Sequence, residues 1–143
     1  MQYSHQGWLT EDHSYFIMND ELDEANLGRE TKTYIWNIED LENPQFVGHY
    51  THSTSSIDHN LYIKDGIIYQ SNYTSGLQVL KMENLANAEL SRIAYFDTKP
   101  GTGSVSQGSG GFSGAWSSYP FFESGIIVVS DIEDGLFVLK PDF

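Results

Sequence analysis

The chain contains no cysteine and few basic side chains, and each of these shortages excludes some kinds of site or partner. Without thiols it can form neither structural disulfides nor thiolate nucleophiles. Only 7 Lys and Arg stand against 20 Asp and Glu, which gives a formal net charge of −13. Such a charge repels phosphate backbones and anionic lipid surfaces, so we expect no nucleic-acid partner. Cations and basic partners are compatible with this negative net charge.

Long hydrophobic runs are also missing. No apolar stretch approaches the roughly 18 residues that a membrane span needs. Residues 1–5, MQYSH, have neither the basic nor the apolar region of a signal peptide, so we expect no membrane span and no export signal in this chain. With 39% hydrophobic and 14% aromatic residues over 143 positions, the chain is expected to fold as one domain or as part of one.

An internal repeat dominates the rest of the sequence. Residues 66–81, GIIYQSNYTSGLQVLK, align with residues 125–140, GIIVVSDIEDGLFVLK, and are identical at 9 of 16 positions. A third copy lies upstream, where residues 34–43 match residues 78–87. This first copy carries extra residues at 22–32, which we interpret as an insertion between two strands. The sequence therefore contains three units, at about 5–52, 57–97 and 112–143.

Each unit is predicted to form consecutive antiparallel β-strands, because its apolar runs are short, rich in β-branched and aromatic residues, and bounded by Gly, Asn and Asp. Asp65 and Gly66 indicate a hairpin, since both residue types tolerate the positive φ of a type I′ turn. Four strands are predicted in each of the first two units and three in the last, which lacks an outer strand. The predicted strands span 6–9, 15–19, 33–38, 45–50, 61–64, 67–71, 77–82, 90–96, 114–121, 126–130 and 136–139.

Four-stranded antiparallel units repeating every 40 to 60 residues or so are typical of β-propeller blades. We therefore predict an all-β fold, a β-propeller fragment of about three four-stranded blades, the last lacking its outer strand. Propellers typically need 4 to 8 blades to close. Three blades imply either self-association or a missing upstream half.

Three stretches of these units carry a resemblance to a known family. They are residues 5–24, HQGWLTEDHSYFIMNDELDE, residues 58–80, DHNLYIKDGIIYQSNYTSGLQVL, and residues 112–141, FSGAWSSYPFFESGIIVVSDIEDGLFVLKP. Together they resemble the choice-of-anchor B family, whose repeats are of the LVIVD type. The resemblance implies a bacterial propeller that is extracellular or displayed on the cell surface. It implies little about activity, because that family has no agreed catalytic residues.

Polar residues recur at matched places in the units and are the candidate ligand-binding residues. His5 opens the first unit, and Asp58, His59 and Asn60 open the second, each at or just before an innermost strand. Trp116 occupies the corresponding region of the third unit. Because the innermost strands of a propeller line its central channel, we expect these side chains to point into or rim that channel.

Two acidic residues that follow the second strand, Asp20 and Glu21, are candidate metal ligands together with His59. Imidazole with carboxylate suits zinc or another transition ion, whereas carboxylate with amide oxygens suits calcium. The alternative is that these groups cap turns and satisfy backbone donors. We expect His59→Ala and Asp20→Ala to weaken binding while leaving the fold largely intact.

Six acidic residues lie close together near the start of the chain: Glu11, Asp12, Asp20, Glu21, Asp23 and Glu24. We predict a solvated acidic face there, with a calcium site at residues 20–24 as the competing interpretation. Residues 100–114, which hold 6 of the 13 glycines, are predicted to be a flexible surface connection. The alternative is a mobile loop over the mouth of the propeller.

Two functions are compatible with these residues and repeats. The favoured one is a non-enzymatic secreted or cell-surface scaffold that binds a protein, glycan or ion ligand at the channel mouth. The alternative is a metal-dependent hydrolase of the propeller lactonase kind, in which His5, His59, Asn60 and a carboxylate hold an ion that activates water. Serine hydrolase chemistry is not expected, because the sequence has no G-x-S-x-G motif.

Overall fold

The computed structural model of the protein describes residues 1–100 and 111–143. The predicted loop at 100–114 lies largely outside the described residues. The described strands form three antiparallel sheets of four, four and three strands. This confirms the predicted all-β class and a propeller-like arrangement in which each sheet is a meander. None of the helices in the described part of the chain is long and apolar enough to cross a membrane.

The three sheets follow one another along the chain. The first contains β1 (Ser4–Leu9), β2 (Tyr15–Asp20), β3 (Lys32–Asn37) and β4 (Gln45–Thr51). The second contains β5 (Asn60–Lys64), β6 (Ile67–Ser71), β7 (Leu77–Asn84) and β8 (Glu89–Phe96). The third contains β9 (Ala115–Tyr119), β10 (Ile127–Asp131) and β11 (Gly135–Leu139). A short helix, α1 (Asp23–Leu27), lies in the insertion between β2 and β3, and a 3-10 turn (Leu85–Asn87) precedes β8.

The repeated sequences occupy equivalent places in their sheets. Strand β6 lies between β5 and β7, and β10 lies between β9 and β11, as the alignment of residues 66–81 with 125–140 predicts. Asp65 and Gly66 have φ values of +52° and +74°, which agrees with the predicted tight turn. The third sheet shows three strands among the described residues, also as predicted.

Apolar side chains of neighbouring sheets form two separate cores. The residues of β6 and β7 alternate between them, because successive side chains of a strand point to opposite faces. Ile68 and Leu80 enter the core shared with the first sheet, whereas Tyr69 and Val79 enter the core shared with the third. Each fully buried aliphatic side chain of this kind contributes roughly 1.5–3 kcal/mol to stability. The middle sheet is therefore buried on both faces.

The first strands of the sheets, β1, β5 and β9, lie side by side and are joined through side chains. The Gln6 amide donates to the Leu61 carbonyl at 2.8 Å and accepts from the Leu61 N–H at 2.5 Å. The Asn60 amide donates to the Trp116 carbonyl at 3.2 Å. These bonds satisfy backbone groups at the edges of different sheets, and they fix the positions of the residues beside them.

Candidate functional site

Three of the predicted residues, His5, Glu21 and His59, converge at one end of the innermost strands. One ligand atom of each lies within 4.8 Å of those of the other two. The antiparallel pairing of Ser4 with Asp20 places the start of β1 beside the end of β2, and so brings His5 to Glu21. The packing of β1 against β5 brings in His59, which directly precedes β5. We call these three residues the histidine cluster.

The hydrogen bonds of both imidazoles fix their tautomers. His5 Nδ1 lies 3.0 Å from the His59 carbonyl oxygen, and His59 Nδ1 lies 2.6 Å from the Trp116 carbonyl oxygen. Because a carbonyl oxygen only accepts, each Nδ1 must carry the proton and donate it. In the neutral form of either ring the lone pair is then on Nε2, and the two rings stack with their centroids 4.4 Å apart. This is the tautomer that a metal-ligating histidine adopts when a carbonyl holds its other nitrogen.

The carboxylate of Glu21 faces one of these lone pairs. Its Oε1 lies 3.8 Å from His59 Nε2. Burial lowers the pKa of His59 below its ordinary value, against the opposing effects of the Trp116 carbonyl and of Glu21. A neutral imidazole nitrogen and a carboxylate oxygen that face each other are both acceptors. A cation bound between them would resolve this conflict.

Two aromatic residues, Tyr73 and Trp116, flank the histidine cluster. The Tyr73 hydroxyl donates to Glu21 Oε1 at 2.7 Å, and burial together with this bond raises the pKa of Tyr73. The Trp116 ring packs on the His59 ring with centroids 4.1 Å apart, and Trp116 is 45% exposed. His5 is also exposed. The cluster therefore has a buried aromatic side at Tyr73 and a side open to solvent at His5 and Trp116.

Tyr73 contacts the histidine cluster through Glu21, and the sequence alone did not single it out. The repeat aligns it with Ile132, so its hydroxyl stands where the third unit has an apolar side chain. That difference between the copies was the available sign of a polar partner at this position.

The other predicted residues lie near the cluster in different roles. Asp20 is completely buried, and its carboxylate accepts from the N–H groups of Gln2 and Tyr3 at 2.5 and 2.6 Å. It is not among the three residues that converge, and it holds the start of β1 in place. Asn60 anchors the Trp116 carbonyl, as described above. Asp58 is completely buried, and one of its oxygens accepts from the Gln70 amide at 3.4 Å.

The predicted solvated acidic face is wrong for four of its six residues. Glu11 and Asp12 are exposed, but the four that follow β2 are buried: Asp20, Glu21, Asp23 and Glu24. The physical reason is that Asp20 accepts from backbone N–H groups, and that Glu21 and Asp23 accept from the hydroxyls of Tyr73 and Tyr34, instead of from water. Burial, followed by the hydrogen bond to Asp23, raises the pKa of Glu24 to about 11.

An aromatic groove lies further along the same innermost strands. Trp8 of β1 packs edge-on against Tyr62 of β5 with ring centroids 5.1 Å apart, and its ring lies 6.2 Å from that of Phe121. The Tyr62 and Ser117 hydroxyls are 3.2 Å apart. These side chains line a cavity of about 610 Å³. Trp8 therefore contributes to a concave surface.

Comparison of the sequence with models of known protein families finds no match, and comparison with curated proteins finds no significant relative. The resemblance to the choice-of-anchor B family therefore stays a prediction. The function of the chain has to be inferred from the histidine cluster and its surroundings.

Proposed function

We propose that this chain is a non-enzymatic propeller-type binding scaffold that holds a divalent transition-metal ion, zinc by its chemistry, in the histidine cluster. The observation that carries the proposal is the convergence of His5, His59 and Glu21, each of which has one ligand atom within 4.8 Å of those of the other two. The three groups would be ligands to one ion, and the carbonyls of His59 and Trp116 would orient the two imidazoles.

The ligand chemistry favours zinc over calcium at this place. Two imidazole nitrogens and one carboxylate oxygen are donors that zinc accepts in proteins, whereas calcium is bound by oxygen alone. The neutral state of His59, which burial favours, is the state that binds a metal. Glu21 Oε1, which accepts from the Tyr73 hydroxyl, is also the oxygen that faces His59 Nε2, so Tyr73 positions the carboxylate for the ion.

A bound ion would keep at least one coordination position for a ligand, because the protein supplies three donors and zinc is usually four-coordinate. The exposed indole of Trp116 lies beside that open side, where an aromatic face contacts sugars or protein side chains. The proposed ligand is therefore a protein or glycan group that reaches the ion from the channel side. An extracellular or cell-surface location is part of this proposal and is supported by the family resemblance alone.

Zinc titration by calorimetry tests the proposal. Chelator-treated protein should bind about one zinc per chain, and His5→Ala and His59→Ala should each weaken binding at least 100-fold. His49→Ala is the matched control, since His49 lies exposed on β4 away from the cluster, and it should bind as the parent chain does. Absence of stoichiometric zinc binding, or equal binding by all four proteins, would contradict the proposal.

A second function has one observation in its favour. Two histidines and one glutamate are the protein ligands of several zinc hydrolases, in which the fourth position holds the water that the ion activates. Lactone hydrolysis by zinc-loaded protein separates the two functions. We expect no rate above that of the zinc-free chain. A zinc-dependent rate that His59→Ala abolishes would favour the hydrolase instead.

A further inference from the structure

The middle sheet shows how neighbouring sheets of this protein fit together. One of its faces packs against the first sheet, and we call this the front face; its apolar residues are Ile68, Leu80, Leu85 and Leu90. The other packs against the third sheet, and we call this the back face; its apolar residues are Tyr69, Leu77 and Val79. The third sheet meets this back face with Ile127, which the repeat aligns with Ile68. Each contact inside the chain therefore joins the front face of one sheet to the back face of the sheet before it.

The back face of the third sheet has equivalent apolar residues, and it is open. The alignment of residues 66–81 with 125–140 pairs Tyr69, Leu77 and Val79 with Val128, Leu136 and Val138. Leu77 is 1% exposed, whereas its counterpart Leu136 is 65% exposed. Val79 and Val138 differ in the same way, at 2% and 63%. The third sheet therefore presents the surface that the middle sheet uses for a neighbour, and no sheet of the described chain covers it.

The front face of the first sheet is the matching surface at the other end of the row of sheets. The alignment of residues 34–43 with 78–87 pairs Trp36 with Leu80 and Leu41 with Leu85. Phe16 lies opposite Trp36 as Ile68 lies opposite Leu80. Phe46 and Leu90 are each the second residue of the fourth strand of their sheet. The apolar residues of this front face are therefore Phe16, Trp36, Leu41 and Phe46.

This front face is also uncovered. Leu41 is 79% exposed and Phe46 is 51% exposed, whereas Leu85 and Leu90, their counterparts in the middle sheet, pack into the core shared with the first sheet. One chain therefore carries both halves of the contact that its own sheets make twice. Exposed apolar surfaces of this kind usually mark interfaces.

We propose that the occupant of both open faces is a second copy of this chain. The back face of the third sheet of each copy packs on the front face of the first sheet of the other, as the sheets do inside one chain. The argument for a copy, and against an unrelated partner, is that the two open faces repeat the residues of two faces that already pack together. The histidine cluster lies within one copy, so the inference does not depend on the zinc proposal.

The number of copies follows from the number of sheets. A contact between the front of one copy and the back of another is heterologous, and such contacts either close into a ring or continue as a filament. Each chain supplies three sheets, and propellers typically close with 4 to 8 blades. Six is the only multiple of three in that range. Two copies therefore form a closed ring of six sheets with a two-fold axis.

Cross-linking tests the polarity of the contact. The chain has no cysteine, so each engineered cysteine is its only thiol. A mixture of Val138→Cys and Phe46→Cys, treated with a short bis-maleimide, should give a cross-linked two-chain product, and either variant alone should give little. Ile93→Cys is the control, because Ile93 is an exposed apolar residue of β8 that belongs to neither open face. Its mixture with Val138→Cys should give no such product.

Sedimentation equilibrium of the parent chain tests the number of copies. The expected mass is twice the 16.2 kDa of one chain. Leu41→Glu changes only the front face of the first sheet and should weaken the pairing at least 10-fold, whereas Ile93→Glu should leave it unchanged.

Several results would overturn the inference. A monomeric parent chain would mean that further blades of a longer chain, or a different protein, cover the open faces. Masses that grow past two chains would mean that the ring does not close. Efficient cross-linking of Val138→Cys to itself would mean that two back faces pair with each other, and a two-chain species without the mixed cross-link would contradict the proposed contact. If a variant does not fold, the mass of the parent chain still decides between two copies and one.

Discussion

At the scale of single residues, the hydrogen-bond partners decide what each polar side chain does. Asp20 and Glu21 are adjacent, and the sequence makes them equivalent as candidate metal ligands. In the structure the backbone N–H groups of Gln2 and Tyr3 donate hydrogen bonds to the Asp20 carboxylate, whereas the Glu21 carboxylate faces His59. The sequence could not separate them, because the difference depends on how the N-terminal backbone lies against the end of β2. Given these bonds, we expect Asp20→Ala to act mainly by loosening β1.

His52 is not a member of the histidine cluster and provides a test of buried-residue electrostatics. It is 3% exposed, and its Nε2 lies 2.9 Å from the Thr33 hydroxyl oxygen. Burial, with a smaller effect of Arg92, lowers the pKa of His52 to about 3 from an ordinary value of 6.5. The unfolded chain therefore binds a proton between these values and the folded chain does not. The contribution of His52 to the free energy of unfolding is therefore fully present above pH 6.5. It is lost as the pH falls toward 3, at roughly 1.4 kcal/mol per pH unit.

Urea unfolding at pH 7 and pH 5 measures this loss. The His52 contribution should be about 2 kcal/mol between the two conditions. His52→Gln removes the titrating group and keeps a polar side chain beside Thr33. Between pH 7 and pH 5 its free energy of unfolding should therefore fall by about 2 kcal/mol less than that of the parent chain. Groups other than His52 titrate equally in both proteins. Equal losses in the two proteins would show that His52 is protonated in the folded state.

At the scale of strands and helices, the sequence predicted most of the fold, including the insertion between β2 and β3, but not the helix within that insertion. The strands were predictable because their apolar runs are bounded by turn residues at matched places in the three units. Helix α1 was not, since five residues are too few to show helical periodicity. It ends at Gly28, whose φ of +61° and N–H bond to the Glu24 carbonyl form a left-handed cap. The burial of Asp23 and Glu24 follows from this helix.

The junction between the second and third sheets depends on Gly114. Its φ is +105°, and a Cβ there would lie 2.4 Å from the Tyr73 carbonyl oxygen, to which the Ala115 N–H donates at 3.0 Å. Gly114→Ala should lower the free energy of unfolding by about 2 kcal/mol or more. It should also weaken zinc binding, because β9 carries the Trp116 carbonyl that orients His59.

Gly125→Ala is the matched control for this change. Gly125 has a φ of +74°, but a Cβ there would meet no described atom within 4 Å. It should cost only about 1 kcal/mol and leave zinc affinity unchanged. Denaturant unfolding and zinc titration of the two variants measure both effects. Equal losses of stability would mean that backbone conformation matters at Gly114 and the close approach to Tyr73 does not.

At the scale of the whole molecule, the two outer sheets each leave apolar side chains uncovered. On β11, Leu136 and Val138 are 65% and 63% exposed, and Phe46 on β4 is also exposed. Apolar patches of this kind usually mark interfaces. We predict that the 16.2 kDa chain self-associates or pairs with further blades. Light scattering should find species larger than one chain, and Val138→Glu should reduce them. A compact monomer with cooperative unfolding would contradict this.

Nitrogen NMR of the histidine side chains during zinc titration tests the central claim most directly. The metal-free protein should show His5 and His59 as tautomers protonated at Nδ1. One equivalent of zinc should then shift their Nε2 resonances and leave those of His13, His49 and His52 unchanged. If zinc leaves His5 and His59 unshifted, or shifts the other three histidines first, the histidine cluster does not bind the metal and the proposed function fails.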